Sequence, residues 1–578
     1  MNQNPPAWRF HGPALVGFLL LTVLFTFPAA IRLGSHAMGT VDVFAFVWEF
    51  WWFHHAVFVL HQSPLTTDLL FFPASVMPLI WSTPMVLVPG MALTGLVGPV
   101  VAYNLMMLGG LALAGVGGYL LAWHLVRRRL PAFLAGAIFA FGPTHMAHVE
   151  MGQIGLASVQ WVPFFALAAL RLYERPTWGR AGFFALALAL VMATDLYVAV
   201  YFLGLFGLAF AGYHLAVDRA GFCRPAFLGR AAAATVAAAI AVFPFYLPTL
   251  LVLKDAATTA VIAESVHRFG QDLVQLLLPP PKHRLLGWLA SPWQGAVTNS
   301  ENWGYIGWGA IALAGVALLR ARSRQMGFWA LFSGLGVLLA MGTTLHVAGP
   351  TPLPLPYWLA SETPLLENFR APGRFMIFAG LGLGMLAAYA ASWLVATGRR
   401  KWLLALSGLL LLEYYSFAPF PTRTAQIPDY YRALAADPSA GAVLAIPNGT
   451  PDWGEIDHQW MYFQTAHRRP LVYAHTHRVP SGMLDWVKTT PVVKDLTNMA
   501  ATNGTLQIAE ADRAGARERL AAEGISHVAL HAVPGLLEGD RFSALKDDLT
   551  ALLGVPEHEE PGMAVYRIGH GPQLPASP

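Results

Sequence analysis

Charge is what this chain has least of. Of its 578 residues only 12% are Asp, Glu, Lys or Arg, while 56% are hydrophobic and the mean hydropathy is +0.50. Soluble globular proteins carry about 25% charged residues. The composition therefore excludes a disordered chain, a nucleic-acid module and a cytosolic enzyme. Cysteine is nearly missing too: Cys223 stands alone in the sequence, which excludes an intrachain disulfide and a thiolate metal cluster. No glycine loop followed by Lys and Ser or Thr occurs, so nothing indicates an ATPase. The glycines between Gly115 and Gly118 lie inside an apolar run, where small residues favour close helix packing. The net charge of +4 is small for this length. Where the charges sit is more informative than their sum.

A membrane-crossing helix needs about 20 mostly apolar residues to cover a hydrocarbon core of about 30 Å. The first candidate runs from Gly12 to Leu33 and reads as a retained anchor, since it is longer than a signal's apolar region and more runs follow. The next, Val101 to Leu125, ends on Arg127, Arg128 and Arg129, and cytoplasmic loops are the ones rich in Lys and Arg. The apolar stretch from Leu79 to Val97 cannot also cross without exporting those arginines. With Pro84, Pro89 and several glycines, it is expected to be a broken helix on the outer face. Further runs at 131–145, 155–171, 181–195, 197–215, 231–253, 304–320, 326–346, 375–396 and 402–418 bring the expected crossings to eleven. That parity leaves the N-terminus inside and the C-terminus outside. Arg171, Arg175, Arg180, Arg219, Arg224, Arg230, Arg320, Arg322, Arg324, Arg399, Arg400 and Lys401 then all fall inside, whereas Gly34 to Val100, placed outside, has no Lys or Arg.

The expected architecture is thus a polytopic α-helical membrane domain over 1–418 and a small outer α/β domain over 419–578. Three outer stretches, 34–100, 254–303 and 347–374, are too long to be mere connectors. In the tail, Ala442–Ile446, Leu471–Tyr473, His527–Leu530 and Ala564–Ile568 read as strands. Ile456–Ala466, Glu510–Glu523 and Arg541–Leu553 read as helices.

The first outer stretch carries the most chemistry. Asp42 opens an aromatic segment in which Glu49 follows seven residues later, on nearly the same face if the segment is helical. Spacing alone fits two roles for Asp42, a helix cap or a carboxylate facing a head group at the membrane surface. Elsewhere, His145 and His148 have helical ligand spacing with Glu150 beside them, but two ligands do not make a metal site. Asp195 lies between two apolar runs, either in a short outer turn or as a functional carboxylate within the membrane.

Several short motifs recur in a telling order. They are Asp42, Trp48 and Trp51-Trp52; Leu70-Phe71-Phe72-Pro73; Ala102-Tyr103-Asn104-Leu105; and Phe139-Ala140-Phe141 with His148, Gln153 and Gln160-Trp161. Glu301 with Tyr305-Ile306-Gly307, and Phe369-Arg370-Ala371-Pro372-Gly373-Arg374-Phe375, complete the series. Over about 1–400 the chain resembles a bacterial branch of the GT-C superfamily of membrane glycosyltransferases. The resemblance implies transfer of a sugar from a polyprenyl-phosphate donor to an acceptor hydroxyl on a glycan, lipid or protein, at the periplasmic face of the inner membrane. It assigns Asp42 as general base, and Arg370 and Arg374 as cations for the leaving phosphate. Glu49, His283 and Glu301 become candidate sugar contacts. His283 and Glu301 sit in the middle outer stretch, which also holds His267, Arg268, Lys282 and Arg284 around Pro279-Pro280-Pro281. The first outer stretch lacks the adjacent acidic pair used by some metal-dependent members of the superfamily. No cofactor is therefore implied, and a divalent cation stays open. An outer cavity with Asp42 at its edge is expected. A flippase for lipid-linked glycans is one alternative, but charge is scarce in the runs and no half repeats the other. A non-catalytic envelope assembly protein is the second.

Overall fold

The computed structural model describes residues 7–73, 77–79, 83–253, 269–293, 304–321, 323–361, 363, 369, 371–437, 441–448, 454–474, 476, 481–497 and 506–569. Of the residues singled out above, His267, Arg268, Glu301, Arg370 and Arg322 lie outside that set.

Helix α1 (Ala7–Phe25) stops eight residues short of the expected end of the first span, because Pro28 has no N–H to continue the ladder. A short strand β1 (His36–Met38) follows, then α2 (Val43–Phe58) directly after Asp42. The stretch expected to lie on the outer face forms α3 (Pro84–Val97), which opens on a proline and ends at Gly98 with φ +81°. Its 14 residues span about 21 Å, too short to cross. It packs between α2 and α4 (Pro99–Val126); a Cβ on Gly90 would meet the Phe50 ring at 2.4 Å, so glycine permits the approach.

Next come α5 (Arg129–Phe141) and α6 (Pro143–Glu150), bent by 41° at Gly142-Pro143. One turn, α7 (Ile154–Ala157), leads into α8 (Trp161–Glu174), α9 (Trp178–Met192) and α10 (Leu196–Val217). After the short α11 (Arg219–Phe222), the apolar series closes with α12 (Pro225–Leu253), α13 (Trp308–Arg320), α14 (Arg324–Ala340), α15 (Phe375–Ala396) and α16 (Arg400–Tyr414). Each of the eleven expected crossings therefore contains an apolar helix. Among the described residues, five helices are long and apolar enough to cross alone, or six if the bent pair is one span. The chain is a multi-pass membrane protein. Its core is aromatic and small-residue packing: α4 and α5 touch where a Cβ on Gly118 would come 2.9 Å from the Gly136 Cα.

The tail contains helices and one four-stranded sheet. Strands β7 (Ala442–Ile446), β8 (Ile525–His531), β9 (His558–Glu560) and β10 (Met563–Arg567) form one sheet in the order β7-β8-β10-β9. The β7–β8 pair is parallel and the others antiparallel. All of β8 is buried. Helix α17 (Gly454–His467) connects this sheet to α2. Two expectations need correction. The stretch Leu471–Tyr473 makes only a single bridge, Leu471 to Val443, because Leu471 also bonds to Leu69 O and accepts from Phe72 N, both at 2.9 Å. Its hydrogen bonds are thus shared with the first outer stretch. The helix expected over Glu510–Glu523 is split at Gly515 (φ +77°) into Glu510–Arg513 and Ala516–Ala522.

The tail and the first outer stretch also share a sheet: β6 (Thr422–Thr424) pairs antiparallel with β1, Ala37 opposite Arg423. Asp272 ties the middle stretch to the third. Its carboxylate accepts from Val274 N (2.9 Å), Ala348 N (3.0 Å) and Gly349 N (2.9 Å), beside the hairpin β4 (Thr344–His346)–β5 (Pro350–Pro354).

Candidate active site around Asp42

Asp42 occupies the position before α2 with φ −89° and ψ +4°, and its side chain does not cap that helix. The carboxylate is 30% exposed. Of the two roles its spacing allowed, the cap is absent.

The backbone that presents Asp42 is held by the segment after α6. Thr40 N donates to Glu150 O (2.8 Å), and Val41 N and Asp42 N both donate to Met151 O (3.1 and 2.9 Å). Two glycines permit this approach. A Cβ on Gly39 (φ +113°) would sit 2.9 Å from the Gly152 Cα, and one on Gly152 (φ +76°) would sit 2.5 Å from Val43 Cγ2. The Tyr103 hydroxyl faces Met38 O (3.0 Å) and Gly152 O (3.1 Å), and Asn104 closes the same corner through Met38 N, Leu33 O and His36 O. The motif Tyr103-Asn104 is thus framework that fixes the turn leading to Asp42.

Two further carboxylates stand nearby in contrasting states. Glu150 is 2% exposed; its Oε1 accepts from Lys282 Nζ at 2.9 Å and from Thr40 Oγ1 at 3.4 Å. Glu49, two turns along α2, buries an Oε2 that has no hydrogen-bond partner among the described residues. Burial, then the charge of Asp42, pushes its carboxyl up to about 8. A group so placed is mostly protonated at neutral pH.

The tail reaches the same place. His458 Nδ1 donates to Val41 O at 3.1 Å and lies 4.0 Å from Asp42 Oδ1. Arg423 donates to Thr40 O and to Gln459 Oε1, both at 3.1 Å.

Arg374 belongs to a second group. In the turn Pro372–Arg374 it is 9% exposed, with its guanidinium 4.3 Å above the Tyr197 ring and within electrostatic range of Asp195. Asp195 caps α10, accepting from Tyr197 N (2.8 Å) and Val198 N (3.2 Å), which agrees with the short-turn reading. Its Oδ2 lies over Gly155, where a Cβ would be 2.6 Å away. The stretch 150–155 therefore touches the Asp42 turn at one end and Asp195 at the other.

The remaining residues divide plainly. His283 is 3% exposed; its Nδ1 accepts from Leu285 N and Leu286 N (3.2 Å each) and its Nε2 donates to Glu413 O (3.0 Å). Both ring nitrogens are engaged, so His283 anchors its loop. His145 likewise faces Ala140 O (2.7 Å) and Ala157 O (2.9 Å), and His148 bonds Gln153 (2.6 Å). Among the described residues no group of three or more His, Cys, Asp or Glu is arranged to hold a metal. A small cleft opens at the α5–α6 bend between Gly142, Thr144, His145, Tyr305 and Tyr414; Asp42 and Arg374 do not line it, unlike the cavity expected.

Sequence reasoning missed the pairing of Glu150 with Lys282 and the approach of His458 and Arg423. It also missed Glu413, whose carboxylate accepts from Tyr305 OH (2.6 Å), Trp308 N (2.6 Å) and Gly309 N (3.0 Å) and so caps α13 from another helix. These partners lie more than 100 residues apart, beyond any local signal.

Arabinofuranosyltransferase AftD from mycobacteria superposes on 97% of this chain with a TM-score of 0.55 and 14% identity; the chain spans 40% of that protein's length. ArnT from Cupriavidus metallidurans superposes on 97% of it and over 99% of its own length in the apo state, with a TM-score of 0.51 and 12% identity. The fold is GT-C-like. The form of ArnT bound to undecaprenyl phosphate matches equally, with a TM-score of 0.51 and 13% identity over its whole length. No family model matches the sequence, and no curated protein is similar to it in sequence. The likeness concerns the GT-C-like fold alone.

Proposed function

We propose that this chain is a membrane glycosyltransferase that moves a sugar from a polyprenyl-phosphate-linked donor to an acceptor hydroxyl at the periplasmic face of a bacterial inner membrane. Asp42 takes the proton of the hydroxyl as its oxygen attacks the anomeric carbon. The bond from that carbon to the phosphate oxygen breaks, and polyprenyl phosphate leaves. The observation that carries this reading is a part-exposed carboxylate on a clamped turn, not spent on capping the helix behind it. ArnT with undecaprenyl phosphate, matched over its full length, supports the donor class.

Arg374 and Arg370 bind the leaving phosphate, and Glu49 and Glu301 contact the sugar. His283 we assign to the loop framework. In this reading the chain crosses eleven times, with 1–418 as the membrane domain, 419–578 periplasmic and the N-terminus cytoplasmic. No metal is used, because Glu150 already holds Lys282 and the acids of the first outer stretch are not adjacent; transfer should withstand chelators.

Asp42→Asn tests the proposal. In the source cells the variant is expected to accumulate normally and lose its glycan product, with transfer reduced by about 10²–10⁴-fold in purified protein. Unaltered glycan at normal protein level overturns catalysis and favours the assembly-protein alternative.

A further inference from the structure

We propose that the tail supplies a positioning residue to the catalytic carboxylate: His458, on α17, sets the peptide from which Asp42 projects. This rests on the reading of Asp42 as general base. The turn 40–42 is held from two sides. Its three N–H groups are bound by Glu150 O and Met151 O, from the membrane domain. Its two carbonyls before Asp42 are bound from the tail, Thr40 O by Arg423 and Val41 O by His458. The Asp42 Cα–Cβ bond leaves the chain directly after the 41–42 peptide, so the orientation of that peptide sets where the carboxylate can reach. The carbonyl of that peptide is the one His458 grips.

His458 is well fixed for this. It is 3% exposed, and Tyr462, one turn on along the same face of α17, stacks on Phe44 of α2 at 4.6 Å and 7°. Further along, Gln464 accepts from Trp48 Nε1 at 2.7 Å, and Gln459 holds the other clamping residue, Arg423. At 4.0 Å from Asp42 Oδ1 the ring is too far for a direct hydrogen bond. It acts through the backbone, so it is a positioning residue and takes no proton from the acceptor. The site is thus completed by a region distant in sequence, and the tail is part of the enzyme.

The test uses the full chain in lipid nanodiscs, with undecaprenyl-phosphate pentoses and hexoses as donor probes and native membrane extract as acceptor. His458→Ala is expected to lower kcat by about 10–100-fold, as a misaimed catalytic group does, with little change in donor KM. His458→Asn offers an amide N–H where Nδ1–H stood and is expected to restore most of the rate. In an Asp42→Asn background His458→Ala should cost nothing more. If the Ala variant does not accumulate, His458→Phe keeps a ring without the N–H and should show the same loss. Full rate in both His458→Ala and His458→Phe, beside an inactive Asp42→Asn, overturns the positioning role and leaves the base standing. A further loss in the double variant, or failure of Asn to rescue, also overturns it, since a purely structural residue behaves that way. An active Asp42→Asn overturns both readings.

Discussion

Glu49 offers the sharpest physical test. Its Oε2 is buried without a partner, and its carboxyl is raised from 4.5 to about 8 by burial first and by Asp42 second. The sign follows from proton counting. Below pH 4.5 native and unfolded chains both hold the proton, so stability is unaffected. Between 4.5 and 8 the unfolded chain has released it while the native chain keeps it, so stability falls as pH rises. At about 1.4 kcal/mol for each pH unit, the full span corresponds to at most about 5 kcal/mol. Glu49→Gln is isosteric with the protonated acid and cannot ionise. It should match the wild type near pH 4.5 and exceed its stability increasingly up to pH 8. The assay is apparent melting temperature in one detergent at one scan rate, from pH 4.5 to 9, because membrane proteins of this size seldom refold after heating. Subtracting the two curves isolates Glu49 from every other titrating group. The Gln variant should also keep most of its transfer activity at pH 7, where the native residue is already neutral. Parallel curves across the range would refute the reasoning, for they would mean that Glu49 ionises normally through a water path to the surface.

Other expectations follow from the same geometry. Gly152→Ala would drive a Cβ to 2.5 Å from Val43 Cγ2 at φ +76°; a cost of about 1–3 kcal/mol from overpacking, plus backbone strain, should show as reduced monodisperse protein in gel filtration. Glu413→Ala would strand Tyr305 OH, Trp308 N and Gly309 N, at about 1–3 kcal/mol for each donor left unpaired, read as a lower melting temperature. In the tail, burial holds His467 and His531 down at about 3 and His527 at about 4. Groups depressed below 6.5 give stability that is lost as pH falls, up to about 2 kcal/mol each by pH 5. Pulsed hydrogen exchange of the full chain after a step from pH 7 to 5 should therefore show strands β7, β8 and β10 opening before the membrane helices.

Much of the fold was legible because apolar length and punctuation are local signals. The run expected over 375–396 is α15 to the residue and that over 101–125 lies within α4, whereas the run expected over 131–145 is broken at Gly142-Pro143. Strands 442–446 and 564–568 were visible as apolar runs between turn residues. What escaped was shared hydrogen bonding. Leu471 looked like a strand by composition, but half of its pairing lies with Leu69 and Phe72, some 400 residues earlier. His283 had the character of a sugar contact until both its nitrogens were found on backbone groups. Side chains in an outer loop of a membrane protein carry no periodicity that separates a buried anchor from a solvent-facing one.

The three acids near the turn show why residue type alone could not single out the proposed base. Glu150 is ion-paired with Lys282, which together with Thr40 occupies its Oε1. Glu49 is held protonated by its burial, so at neutral pH it has no charge with which to accept a proton. Asp42 alone combines partial exposure with a backbone fixed on both the N–H and the carbonyl side. Had Glu49 been ionised, two anions seven residues apart on one helix would raise each other's affinity for protons and weaken the distinction between base and spectator. The burial of Glu49 is what holds it neutral. In the proposed mechanism the docking of the tail onto α2 therefore acts on Asp42 by orienting its peptide through His458.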